Sequence, residues 1–241
     1  MKRRTFLAGS LTVPLLAGFG EATRVNIAEL DLGAPSAFRP RAWERVLYEM
    51  DASTSVSTSS RIARVRPDEA ALFDHPFCVL SVASAFEIPT AVEALNRYLS
   101  YGGFLLVDDV SGGEDPAIDL SIRRLAAVLF PARPLAQLPS DHAIYRSFFL
   151  VRRAVGRLDR HPLTGVISGD ATPFVVSRND MGGALDRSAD GAMAACIPGG
   201  ETQRQRALQL AVNLVMYTLT SDYKKDQVHV KRLLEEGRIA R

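Results

Sequence analysis

The sequence is short of the features by which many enzymes declare themselves. It has two cysteines in 241 residues and none of the familiar phosphate, nucleophile or metal motifs. No Gly-x-x-x-x-Gly-Lys-Ser/Thr loop is present to cradle a nucleotide phosphate with backbone N–H groups. No Gly-x-Gly-x-x-Gly follows the first expected strand, so the usual dinucleotide fingerprint is missing. The Gly-x-Ser-x-Gly elbow of many serine hydrolases is absent as well. So are Cys-x-x-Cys and His-x-x-x-His, the common redox and zinc spacings. There are no internal repeats and no low-complexity tracts. Of the four histidines, His75 and His161 precede prolines in turn contexts, and His229 lies in a charged tail. Only His142 stands in a polar cluster.

The cysteines themselves say little. Cys78 falls inside Phe77–Val82, an apolar run that reads as a buried strand, where free cysteine acts as a small hydrophobe. Cys196 lies in a Gly/Pro-rich loop. An oxidising compartment would permit a disulfide between them, but only geometry could support one, and free thiols are the expectation.

What is present begins at the N-terminus. Met1-Lys2-Arg3-Arg4-Thr5-Phe6-Leu7 is a basic segment followed by an apolar stretch from Leu7 to Phe19. That stretch is too short to cross a bilayer with ease, which takes about 20 residues. It suits the apolar core of a signal peptide, and the small residues Gly18, Gly20 and Ala22 follow where cleavage belongs. Cleavage is expected after Ala22, with Gly20 as second choice; an uncleaved anchor is the alternative. The pair Arg3-Arg4 reads as the address of the twin-arginine translocase, which carries folded cargo. That translocase is then an expected partner and the periplasm the expected location.

Charge supports a modest conclusion about partners. The chain has 29 Lys and Arg against 27 Asp and Glu. Loss of residues 1–22 removes three of the first and one of the second, leaving the mature chain formally neutral. Nucleic acid, whose binding is driven by phosphate neutralisation, is not an expected partner. The remaining length suits one α/β domain, 23–222, with a charged helical tail over 223–241. Nothing after residue 22 resembles a membrane span.

Hydrophobic patterning outlines the elements. Arg24–Leu30 alternates as a first strand should. A Gly/Pro-rich turn leads to a helix over Ala42–Met50, with Trp43, Val46, Leu47 and Met50 on one face. Ser53–Ser59 is β-prone and short. After the strand Phe77–Val82, Thr90-Ala91-Val92-Glu93 reads as a capping box for the next helix, which Gly102-Gly103 ends. Phe104–Val107 is a continuous apolar strand of the kind that parallel sheets covered on both faces require. A helix at Leu120–Leu129, a buried strand at Pro173–Ser177 and a long helix at Thr202–Leu219 follow. The alternation predicts a doubly wound α/β fold: a three-layer sandwich around a mainly parallel sheet.

In such sheets ligands bind beyond the carboxyl ends of the strands. Three polar clusters follow core segments and are expected to meet there: Asp108-Asp109; Ser140-Asp141-His142; and Arg178-Asn179-Asp180, with Gly182-Gly183 allowing close approach of backbone. Carboxylates, a histidine and an arginine at one edge suit an anion, a sugar or a divalent metal, with Asp108, Asp141 and Asp180 as candidate ligands. The competing reading is structural, since aspartates commonly cap helices and close turns.

Several segments together resemble a known family. They are Tyr98-Leu99 with Tyr101–Asp109, Leu138–Phe149, Val176–Asp180, and Asn213–Thr220 with Asp222-Tyr223-Lys224. From about Arg24 to His229 the chain resembles an uncharacterised bacterial family of unknown function grouped with class I glutamine amidotransferase-like folds. The resemblance implies a flavodoxin-like sandwich. Some members form the C-terminal part of membrane proteins related to the Bat aerotolerance system. Glutamine amidotransferases need a cysteine nucleophile on a strained strand-to-helix turn, with a histidine to activate it. Here the strand Phe104–Val107 runs into Asp108-Asp109-Val110 and carries no thiol. The leading expectation is therefore a non-catalytic periplasmic binding or accessory domain without a cofactor, recognising a small polar ligand or an envelope protein at the Asp108/Asp141/His142/Asp180 edge. The alternatives are a hydrolase, with His142 as general base or the aspartates around a metal, and a structural envelope component.

Overall fold

The computed structural model describes residues 24–235, with side chains as far as residue 220. The expected signal peptide, with Arg3 and Arg4, lies outside the described residues. Seven strands form one sheet: β1 (Ile27–Leu30), β2 (Ala63–Val65), β3 (Phe77–Val82), β4 (Phe104–Asp109), β5 (Ala136–Gln137), β6 (Thr164–Ser168) and β7 (Ala171–Ser177). Among the described residues five α-helices accompany them: α1 (Pro40–Ser53), α2 (Val92–Ser100), α3 (Pro116–Leu129), α4 (Met181–Leu185) and α5 (Gly200–Glu235). The order across the sheet is β2-β1-β3-β4-β7-β6-β5. The first five strands in that order run parallel, and β6 is antiparallel to both of its neighbours.

The sequence explains why the middle of the sheet is the firmest part. Every residue of β3 and β4 is buried, as strands covered on both faces must be. Alternate residues feed two cores. Ile27, Phe77, Val79, Phe104, Leu106 and Val175 pack with α1, α4 and α5. Ala28, Leu30, Cys78, Leu80, Leu105, Val107, Phe174 and Val176 pack with α2 and α3. Helices thus cover both faces of a mostly parallel sheet. The chain passes from the α1 side to the α2 side between β1 and β3, so the topology reverses there.

Five local expectations need correction. The β-prone Ser53–Ser59 contributes only a bridge from Thr58 to Val25, because α1 continues to Ser53 and the second strand forms later, at Ala63–Val65. The capping box is not formed: Ala91 is the N-cap of α2 with no side-chain bond, which leaves Thr90 one residue too early. α3 begins earlier than expected because Asp115 caps it, accepting from the Ala117 N–H at 2.8 Å, and Pro116 fits the first turn. The antiparallel edge of β5 and β6 was not anticipated. Lastly, the long final helix and the charged tail are one continuous helix as far as Glu235.

Candidate functional site

A polar row closes the carboxyl end of the sheet on the side of α1, α4 and α5. Ser81, Asp108 and Ser177 stand in register across β3, β4 and β7, and Glu29 lies on the same face of β1. All four are almost wholly buried. Asp108 holds the start of α4: its two oxygens accept from the N–H groups of Met181 at 2.8 Å and Gly182 at 2.7 Å. Burial, and then the charge of Asp180, raise its carboxyl to about 6, against the pull of those N–H groups and of Arg39. Asp180 is the N-cap of α4 and adopts a left-handed conformation with φ 52°. Its side chain accepts from Gly183 N–H at 3.1 Å and pairs with two arginines, Arg39 and Arg157. Arg39 in turn donates its backbone N–H to Glu29 at 2.5 Å. Burial raises the Glu29 carboxyl to about 7, opposed by that N–H and by Arg64. Gly182 permits this closeness, since a β-carbon there would stand 3.1 Å from Asp108 Oδ2 and 3.2 Å from Arg39 Cδ. The result is a brace: every carboxylate oxygen of Asp108 and Asp180 already has an internal partner.

The structure separates the other candidates. Asp109 and Arg178 point to the opposite face. Asp109 closes the following turn by accepting from Ser111 N–H at 2.9 Å and Gly113 N–H at 3.1 Å. Arg178 binds Asp119 of α3 through Nε at 2.7 Å. Asn179 fastens a loop, accepting from the N–H groups of Arg160 and His161, each at 3.0 Å. His142 and Asp141 do not join the brace. His142 Nε2 lies 3.0 Å from Thr172 Oγ1, its Nδ1 accepts from Ile144 N–H at 3.3 Å, and its ring packs beside Tyr217. Thr172 is at the start of β7, five residues before Ser177, which places it about 16 Å from the carboxyl edge. The loop after β5 crosses back over the sheet, and spacing along the chain gave no warning of that return. The aspartates expected to share a metal are thus divided between two ends of the sheet. Among the described residues no group of three His, Cys, Asp or Glu side chains could hold an ion.

Open space lies elsewhere on the same edge. An open crevice of about 540 Å³ is bordered by the segments following β1, β2 and β3: Asp31-Leu32-Gly33, Arg66-Pro67-Asp68 and Pro89-Thr90-Ala91. It stands beside the β1/β3 reversal, where α2 begins. Arg66 forms a paired bond with Asp68, Nε and Nη2 each 3.1 Å from a carboxylate oxygen, and Asp31 accepts from Gly33 N–H at 2.7 Å. The walls offer both signs of charge and a hydroxyl. This volume suits a small ligand.

A family model described as a domain of unknown function (DUF4159) matches residues 26–219. The chain belongs to that family. No curated protein is detectably similar to it. In this DUF4159 domain the sequence singled out two members of the brace, Asp108 and Asp180, and missed Glu29, Arg39 and Arg157. Glu29 did leave a signal, being an acid within the apolar strand Ile27–Leu30. Neither arginine is marked by its neighbours. The left-handed non-glycine residue among those described is Asp180 after β7, whereas the turn after β4, closed by Asp109, takes its left-handed conformation at Gly112 and Gly113. Both cysteines are buried free thiols. Burial pushes Cys78 up to about 12 and also raises Cys196, so neither is tuned as a nucleophile.

Proposed function

We propose that this protein is an exported, non-catalytic binding domain that takes a small polar ligand in the crevice at the β1/β3 reversal. The observation that carries the reading is that crevice, about 540 Å³, over the carboxyl ends of three parallel strands where the topology switches. Open α/β sheets bind their ligands at such points. The order β2-β1-β3-β4-β7 supports a flavodoxin-like assignment, with β7 in fifth place. The amidotransferase-like kinship rests on the resemblance of sequence segments.

The brace argues for binding over catalysis. Nucleophile elbows hold a reactive side chain on a strained strand-to-helix turn. Here that turn bears Asp180, whose oxygens are taken by Arg39, Arg157 and Gly183 N–H. His142 is at the far end and cannot serve it. Export by the twin-arginine route to the periplasm remains part of the proposal on the strength of Arg3-Arg4.

A thermal-shift screen of the purified mature chain with sugars, sugar acids and amino acids tests the crevice. A ligand at a hundredfold excess over its Kd should raise Tm by about 5 °C or more. Arg66→Ala, a change at an exposed position, should remove that shift. If no compound stabilises the protein, or if Arg66→Ala responds like the parent, the crevice is not the site.

A further inference from the structure

A second cavity, of about 320 Å³, lies between the loop that follows β5 and the loop that precedes β6. Its walls include Arg152, Arg153 and Arg160, with Asp159 as the single carboxylate. Arg153 is paired with Asp159 at 2.5 Å and Arg160 with Glu114 at 2.5 Å. Arg152 is exposed and has no ion pair among the described residues. Ser140 and the buried Tyr145 also line the space. Burial raises the Tyr145 phenol, so it stays protonated and able to donate.

The wall is held in place by the brace. Arg157 and Leu158 donate their N–H groups to the carbonyls of Asp180 and Asn179, each at 3.0 Å, and the Asn179 amide donates to His161 O at 2.6 Å. Gly156 lies so close to this turn that a β-carbon would stand 2.3 Å from Asn179 O. The loop thus lines one small space with the guanidinium of Arg152, unpaired among the described residues, the paired ones of Arg153 and Arg160, and the residues Ser140 and Tyr145. Guanidinium forks are a common means of holding the oxygens of a phosphate group.

We propose that this cavity binds a phosphate group, as inorganic phosphate, a soluble phosphate monoester or a lipid headgroup. The site is independent of the crevice beside β1 and stands or falls separately.

Isothermal titration of the purified mature chain with inorganic phosphate and with glycerol 3-phosphate tests it, alongside co-sedimentation with phosphatidylglycerol vesicles and phosphatidylcholine controls. Saturable binding by one of these probes is expected, weakening as sodium chloride is added. Arg152→Ala should reduce affinity about tenfold or more with unchanged circular dichroism and Tm, since the residue is exposed. Arg66→Ala should leave binding intact. Response to glycerol 3-phosphate supports a soluble ester, and response to phosphatidylglycerol vesicles alone supports a headgroup. Absence of saturable binding to every probe, or equal binding by Arg152→Ala, overturns the proposal.

Discussion

Asp180 sits in a backbone conformation that few side chains tolerate, and aspartate is among those that do. Its two arginine partners come from the start of α1 and from the loop before β6, so one carboxylate ties three parts of the chain together. Removing it takes the paired carboxylate from two mostly buried guanidinium groups at once. Asp180→Ala should cost about 3 kcal/mol or more in urea unfolding, and Asp180→Asn, which tolerates the turn, should cost less. Glu29 carries a pH effect of opposite sense to the usual carboxylate. Its folded value of about 7 stands above the ordinary 4.5, so the folded state binds the proton more tightly. That contribution is complete below about pH 4.5 and is lost as pH rises to about 7; Asp108, raised to about 6, acts in the same direction. Glu29→Gln should therefore lessen the fall in Tm between pH 4.5 and 7.5 and stabilise the protein at pH 8. An unchanged slope would show that Glu29 is ionised in the fold without penalty.

The elements differ in how openly the chain announces them. β3 and β4 were legible because each is an unbroken apolar run, the pattern that burial on both faces demands. β2, β5 and β6 were not, since they are short, sit towards the sheet edges and take their strand identity from pairing with neighbours. The α3 cap, Asp115-Pro116, was present in the sequence, but the apolar pattern drew attention to its later turns. Within α5, Asn213 and Gln203 read as ordinary polar positions. Folded, Asn213 Oδ1 accepts from the N–H groups of Phe148 and Phe149, and Gln203 donates to the carbonyls of Gly156, Arg157 and Ile197. α5 is therefore a post to which two loops are fastened. Asn213→Ala should expose the 147–150 segment to limited proteolysis at a rate several-fold above the parent, with a stability loss of about 2 kcal/mol. Gly156→Ala drives a methyl group into the Asn179 carbonyl and should destabilise by about 3 kcal/mol, read by thermal melting.

At the scale of the molecule, the expected address at Arg3-Arg4 predicts that replacing both with lysine leaves the precursor in the cytoplasm, as fractionation and immunoblotting would report. Delivery of the paired-lysine variant to the periplasm at the parent level would remove the twin-arginine reading. The sequence by itself determined the class of fold, the positions of the central strands and the polarity of their carboxyl ends, because hydrophobic periodicity is a local property of the chain. Only the tertiary structure decided which polar residues meet. Asp108 and the Gly182 amide are 74 positions apart, yet parallel pairing of β4 and β7 brings them within 2.7 Å. His142 is nearer in sequence to Asp180 than Arg39 is, and the fold carries it to the other end of β7. Strand register and loop path set those distances, and both arise from long-range pairing that no stretch of sequence contains.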